Sequence, residues 1–316
     1  MRLWQQSMVF LARNESVKKF MQSRATMSEL STKFVGGKDI TEAAEKGRLL
    51  KNRGYRTSLF YLGEYVQDLS VIDRTVFALK AIAKNLAELK LDVHISVDPT
   101  QIGYLIDKKV SCDNAFEIAD EIKNVTNGVN NSAKNFLMLD MEDSSVTDFT
   151  ISLYESLKKA SLPTALTLQA YLHRTEGDLR KIIQSGGAVR LVKGAFAERK
   201  EIAFTRRSEI DSNYIKLTEL MLSNEARRSS FCPIFGTHDD RMIDMIKEIA
   251  GRNGWKKNEY EIEMLYGVRT DIQEKLIQSG EQLRLYLPFG ADWWPYAVRR
   301  IGESPKMAKI LLKSIR

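Results

Sequence analysis

The 316-residue chain has few of the residues that metal or disulfide chemistry needs. Its two cysteines, Cys112 and Cys232, stand far apart and without metal-ligand spacing. They exclude a disulfide framework and point to a reducing compartment with buried thiols. The three histidines, His94, His173 and His238, form no H-E-x-x-H pattern, so no metal site is expected. No apolar run approaches the roughly 18 residues that span a bilayer. The opening MRLWQQSMVFLARNES has too short an apolar stretch for a secretory signal. A G-x-G-x-x-G turn after the first strand and a G-x-x-x-x-G-K-[ST] loop are both missing, which argues against an open dinucleotide-binding sheet and a P-loop. Zinc fingers, basic heptad regions and aromatic RNA-binding signatures are missing as well, so nucleic acid is not an expected partner.

What is present reads as one large α/β domain. The chain is 43% hydrophobic and 28% charged, an ordinary globular composition. The net charge of +7 suits a phosphate-rich cofactor or acidic lipid headgroups, and its lysines and arginines are scattered. Residues 1–57 read as helices with polar joints, a segment packed on the main domain. Within it, Asp39-Ile40-Thr41-Glu42 has the form of a helix start. From Ser58 onward, short apolar runs alternate with amphipathic stretches. The strand candidates are 58–62, 92–97, 135–140, 164–169, 188–193, 231–236, 259–265 and 282–287. Eight strands, each followed by a helix, predict a (β/α)8 TIM-type barrel over 58–316, with extra N-terminal helices and a C-terminal helix that carries site residues. Distinctive polar residues fall at the strands' C-terminal ends: Glu64, Asp98, Asp140, Gln169, Lys193, Thr237 with His238, and Tyr286. In barrels that rim holds the active site.

Three stretches carry the chemistry. On the fifth strand, Val189 to Ala195, Arg190 and Lys193 lie among apolar neighbours, and buried cations must meet a carboxylate, a phosphate or a cofactor. Internal salt bridges to the acids of the third strand are the alternative. Leu139 to Asp143 concentrates three acids without the partners a metal would want. At the C-terminal end, Pro288 and Gly290 are expected to stop the last strand, Asp292 to cap a helix, and Pro295 to sit in its first turn. Tyr296, Arg299, Arg300 and Glu303 would share one face of that helix, and paired arginines can clamp a small carboxylate. A solvated face with an ordinary ion pair is the competing reading. Gln169 could serve a cofactor edge or cap the next helix, and Thr237-His238-Asp239 could hold a phosphate or simply cap.

Eight segments settle these choices by resemblance: SLFYLGE, VDPTQIG, LDMEDS, TLQAYLHRT, VRLVKGAFAE, GTHD, EMLYGVR and YLPFGADWWPYAVRRIGESP. Together they resemble the proline dehydrogenase family, in the same order, from Ser58 to Pro305. The resemblance implies FAD as cofactor and oxidation of proline to Δ1-pyrroline-5-carboxylate. It implies electron transfer to a quinone or another acceptor, and a cytoplasmic protein for which peripheral contact with a membrane stays open. It places Gln169, Arg190, Val192, Lys193, Gly194, Ala195, Thr237, His238 and Glu263 around the cofactor. Asp98, Asp140, Leu265, Tyr286, Tyr296, Arg299, Arg300 and Glu303 fall around the substrate. The family has a lysine where this chain has Asp98, and usually a glutamine where it has Glu263. Asp98 therefore introduces a negative charge where a substrate carboxylate is expected, unless Lys108 or Lys109 swings in or Pro99 turns the loop. A dehydrogenase of another cyclic amine and a non-catalytic flavin-binding relative are the competing expectations.

Overall fold

The computed structural model describes residues 32–63, 65–127 and 134–297. Eight parallel strands close into a barrel, each paired with the next and the last with the first. They are β1 (Arg56–Tyr61), β2 (His94–Val97), β3 (Phe136–Leu139), β4 (Thr164–Gln169), β5 (Ala188–Val192), β6 (Cys232–Gly236), β7 (Glu261–Leu265) and β8 (Leu283–Phe289). Every expected strand is present, with ends shifted by up to two residues. The helices are α1 (Ile40–Asn52), α2 (Leu69–Glu88), α3 (Lys108–Thr126), α4 (Ser144–Lys159), α5 (Thr175–Gln184), α6 (Arg207–Met221), α7 (Asn224–Arg228), α8 (Asp240–Arg252) and α9 (Thr270–Gln278). Aspartates start five of them. Asp39, Asp68, Asp107, Asp143 and Asp239 each accept a backbone N–H of the first turn of α1, α2, α3, α4 and α8.

Strand residues alternate between two environments. Leu59, Ile95, Val97, Leu137, Leu139, Leu166, Leu191, Phe235 and Ile262 pack outward against the helices in the main core. Met138, Ala165, Ala188 and Ile234 face inward and make a separate small cluster.

The last strand departs from expectation. Pro288 does not stop β8, which runs on to Phe289 in register with Phe60 and Tyr61 of β1. Proline removes only a donor; its carbonyl still accepts from Gly36 N at 2.7 Å. Tyr286 is therefore mid-strand rather than at a strand end. The closing helix begins at Trp294, where Trp293 O accepts from Ala297 N at 2.9 Å. Asp292 is one residue outside the expected capping position, while Pro295 does occupy the first turn. The barrel begins at Arg56, so the expected boundary at 57/58 cuts into β1. Cys112 and Cys232 are free thiols and only partly buried.

Candidate active site

The mouth of the barrel is organised around Arg190. It is 5% exposed, and its guanidinium bonds to four groups on four strands or strand ends. Nε donates to Thr167 Oγ1 at 3.1 Å, and Nη1 to Glu263 Oε1 at 2.7 Å and to Ser96 Oγ at 3.3 Å; Nη2 donates to Asp140 Oδ1. Parallel pairing makes this possible: Thr167 is opposite Arg190, and Glu263 is opposite Gly236, where a side chain would come 2.7 Å from Val192 Cγ1. The internal ion pair expected as an alternative is thus real for Arg190 and Asp140. Of the three acids after β3, only Asp140 faces the mouth. Glu142 accepts from Thr100 N at 3.0 Å and ties down the turn after β2, and Asp143 caps α4.

Tyr286 closes the network from β8. Its hydroxyl donates to Asp140 Oδ2 at 2.9 Å, and its ring centroid lies 5.3 Å from the Arg190 guanidinium carbon. Burial pushes the phenol well above its ordinary pKa, and the negative charge of Asp98 adds to the rise. Asp98 therefore acts electrostatically on the mouth, from the end of β2. Lys108 and Lys109 do not neutralise it: Lys108 Nζ sits 5.8 Å from the Tyr104 ring centroid, and Lys109 pairs with Asp113. Leu265 ends β7 beside Tyr286 in register, and Tyr296 is buried with Trp293 and Trp294 in the closing segment. Arg299, Arg300 and Glu303, and likewise Glu64, lie outside the described residues.

A second group lies beyond β4, β5 and β6. Lys193 pairs with Asp211 on α6 and, at 2.8 Å, with Asp239 at the start of α8, not with the acids of the third strand. Burial raises the Asp239 carboxyl, but the Lys193 bond overrides it and holds the group below its usual range. Gly194 has φ +99°, and an added Cβ would come 2.2 Å from the Tyr171 ring. Val192 O accepts from Ala170 N at 2.8 Å, and Ala195 is exposed next to Gly194. Gln169 does not cap α5; its Nε2 donates to Met141 O at 3.1 Å, and its buried Oε1 has no hydrogen-bond partner among the described residues. Thr237 Oγ1 accepts from Asp239 N at 3.1 Å, while His238 Nε2 accepts from Leu265 N at 3.2 Å. In this trio the cap is Asp239. A cleft of about 520 Å³ is lined by Arg207, Ser208, Asp211, Ser212, Ile215 and Arg241, between the first turns of α6 and α8.

Comparison with known proteins identifies the family. The sequence profile described as Proline dehydrogenase matches residues 43–311. Proline dehydrogenase 2 of Bacillus subtilis is 32% identical over 284 residues, covering 90% of this chain and 89% of that protein. The chain belongs to the proline dehydrogenase family. Proline dehydrogenase of Deinococcus radiodurans is 29% identical over 323 residues, covering 99% and 98% of the two chains. The barrel also matches proline utilization A of Bdellovibrio bacteriovorus, inactivated by N-propargylglycine, with a TM-score of 0.80 at 18% identity. That likeness concerns the fold; it covers 98% of this chain, which spans 39% of the larger protein.

Several members of the mouth were not singled out from the sequence of this proline dehydrogenase family member. Thr167, Ser96 and Ser58 are small polar residues inside strands, and Tyr171 and Asp211 come from a loop and from α6. The one available signal was alternation: His94 and Ser96 on β2, like Thr167 and Gln169 on β4, are polar residues two apart with an apolar residue between them.

Proposed function

We propose that this protein is an FAD-dependent proline dehydrogenase, oxidising L-proline to Δ1-pyrroline-5-carboxylate and passing the electrons to a quinone. The observation that carries the reading is the Arg190 network at the mouth, with two buried polar atoms left over beside it. Among the described residues Gln169 Oε1 and Glu263 Oε2 lack hydrogen-bond partners, as acceptors awaiting a ligand would. The same region has a cleft with two arginines, Arg207 and Arg241, near two helix starts, beside a tight turn at Gly194 against the Tyr171 ring. These features fit a flavin dinucleotide. Gln169, Arg190, Glu263 and the Val192–Ala195 backbone would hold its ring, and Lys193, Thr237 and His238 its chain. FAD supplies the two-electron acceptor. Residues 58–316, with the start of β1, would form the catalytic domain, and residues 1–57 its packed N-terminal segment.

The chain's own residues position the substrate. Arg299 and Arg300 bind the proline carboxylate, with Glu303 orienting one of them. Leu265, Tyr286 and Tyr296 wall the ring and exclude water. Asp140 is held by Arg190, Thr167 and Tyr286, so its carboxyl group is fixed in place at the mouth. Oxidation takes a hydride from carbon and a proton from nitrogen, so the amine must be neutral, and the rate should rise with pH. Among the described residues no helix is long and apolar enough to cross a membrane. A cytoplasmic protein touching the membrane peripherally is the setting that a quinone acceptor suits.

One observation favours a second reading. Asp140 and Glu263 already pair with the Arg190 guanidinium, and the charge of Asp98 bears on Tyr286 beside them. Two like charges about 4 Å apart at an effective dielectric near 20 repel by roughly 4 kcal/mol. An anionic carboxylate would meet that repulsion, so proline would be a poorer substrate than a cyclic amine with a cationic or donor group at this point. Asp98→Lys should then tighten proline binding; slower flavin reduction by proline in this variant would refute the second reading. Titration with FAD tests the cofactor assignment. The protein should turn yellow and bind FAD noncovalently, more weakly after Arg190→Met; a protein that stays colourless in excess FAD contradicts it.

A further inference from the structure

The inward face of the barrel is divided. Four of the strands, β3 to β6, contribute the apolar cluster of Met138, Ala165, Ala188 and Ile234. The other half is polar, and its Ser58, His94, Ser96, Glu261 and Arg284 are fully buried. At the bottom, Arg284 donates Nε to Glu261 Oε2 at 2.8 Å and Nη1 to Thr57 O at 2.7 Å. Between that cluster and the mouth runs a chain of hydrogen bonds. His94 Nδ1 is 2.9 Å from Ser58 Oγ, Ser58 Oγ is 3.1 Å from Ser96 Oγ, and Ser96 Oγ is 3.3 Å from Arg190 Nη1.

The direction of this chain is set from both ends. A guanidinium has no acceptor, so Arg190 donates to Ser96. At the other end, burial holds His94 well below its ordinary pKa, and Arg284, Arg190 and Lys134 reinforce this against Glu261. The ring is neutral. With Nδ1 accepting, each hydroxyl proton has a place: Ser96 donates to Ser58, and Ser58 to His94. With Nδ1 donating, Ser96 would receive two donors and its own proton would have no acceptor among the described residues. The imidazole proton therefore sits on Nε2: that arrangement strands only this proton among the described residues, whereas the other would strand both the serine proton and the Nε2 lone pair.

Arginine carries five N–H bonds. Among the described residues Thr167, Glu263, Ser96 and Asp140 take four of them, and the one left is on Nη2. Ser96 occupies the second hydrogen of Nη1, so it decides which N–H the arginine keeps for the mouth. We propose that His94, Ser58 and Ser96 form a polarised strut that positions Arg190 from inside the barrel and leaves one Nη2 hydrogen for the occupant of the site. The three act through Arg190 and touch neither substrate nor cofactor. The inference deepens the reading of Arg190 as the arginine at the flavin, and rests on it.

The test joins a readout on the cofactor-free protein to one on the loaded enzyme. Nitrogen-15 spectra of the imidazoles are tractable, because the chain has three histidines, each assignable by replacement. In the apo protein His94 should be neutral with its proton on Nε2, and Ser58→Ala should shift its Nδ1 resonance. A proton on Nδ1, or an unmoved resonance, overturns the strut. With FAD bound, Ser96→Ala and Ser58→Ala should each lower kcat for proline about tenfold, the worth of one hydrogen bond to a charged group. KM should change less than about twofold, since positioning belongs to the transition state. The double variant should be no worse than either single one, and Ser96→Thr, which keeps the hydroxyl, should restore the rate. Additive losses, or full activity in both serine variants while Arg190→Met is impaired, overturn the proposal. If Arg190→Met is itself fully active, the assignment of Arg190 to the reaction falls, and the histidine spectrum still decides whether the strut exists.

Discussion

Arg190 shows what a single residue contributes and how much of that the sequence discloses. Its carboxylate partners Asp140 and Glu263 are nearly as buried as it is. Arg190→Met would leave both acids facing each other without a counter-ion, and breaking a buried pair this way costs about 3–5 kcal/mol. Urea unfolding of the apo variant should show that loss; a change under about 1 kcal/mol, the scale of a surface pair, would mean that solvent already screens the site. A cation within an apolar strand announced that partners must exist, and the acids after β3 were the visible candidates. Asp140 was found that way. Lys193 was not placed correctly by the same logic, because its partners Asp211 and Asp239 belong to helix starts 18 and 46 residues on. His94 and Ser96 showed only the weak signal of polar residues two apart, and Ser58 showed none; the closed barrel is what turns the three toward one axis.

At the scale of elements, the strands were legible because outward apolar residues alternate with a distinct inner set, and because aspartate caps mark helix starts. The end of β8 was not legible. Proline usually ends a strand, yet Pro288 keeps its carbonyl partner in Gly36, from a segment that no local pattern links to β8. The turn after β5 has an equally specific demand. Gly194→Ala would put a side chain at φ +99° and 2.2 Å from the Tyr171 ring. Strain of this kind costs about 1–3 kcal/mol before any repacking. A lowered melting temperature, with weaker FAD binding, is the expected outcome. An unchanged melting temperature would mean that the β5 turn relaxes freely.

At the scale of the whole molecule, the barrel separates two charged regions, a reactive mouth and a structural base. At the base Arg284 is 0% exposed and bonds to Glu261 and Asp92. Burial pushes the Glu261 carboxyl up, but Arg284, Lys134 and Arg56 override it and hold the group well below the usual carboxylate range. The folded pKa thus lies below the unfolded one. Its contribution to stability is present above the unfolded value, about 4.3, and is lost as pH falls toward the folded value. Glu261→Gln should destabilise the protein by about 3–5 kcal/mol at neutral pH, because Arg284 stays buried and charged. The difference from wild type should shrink as pH falls below the unfolded value; a difference that stays constant to the acid limit would show that Glu261 is not ionised in the fold.

The central claim is that the mouth around Arg190 oxidises proline through a bound flavin. Its most direct test is anaerobic mixing of the FAD-loaded protein with L-proline, following the visible flavin band and the product. The band should bleach, faster at higher pH, with one Δ1-pyrroline-5-carboxylate formed per flavin reduced. A flavin that stays oxidised in excess L-proline, yet bleaches with dithionite, would contradict the account.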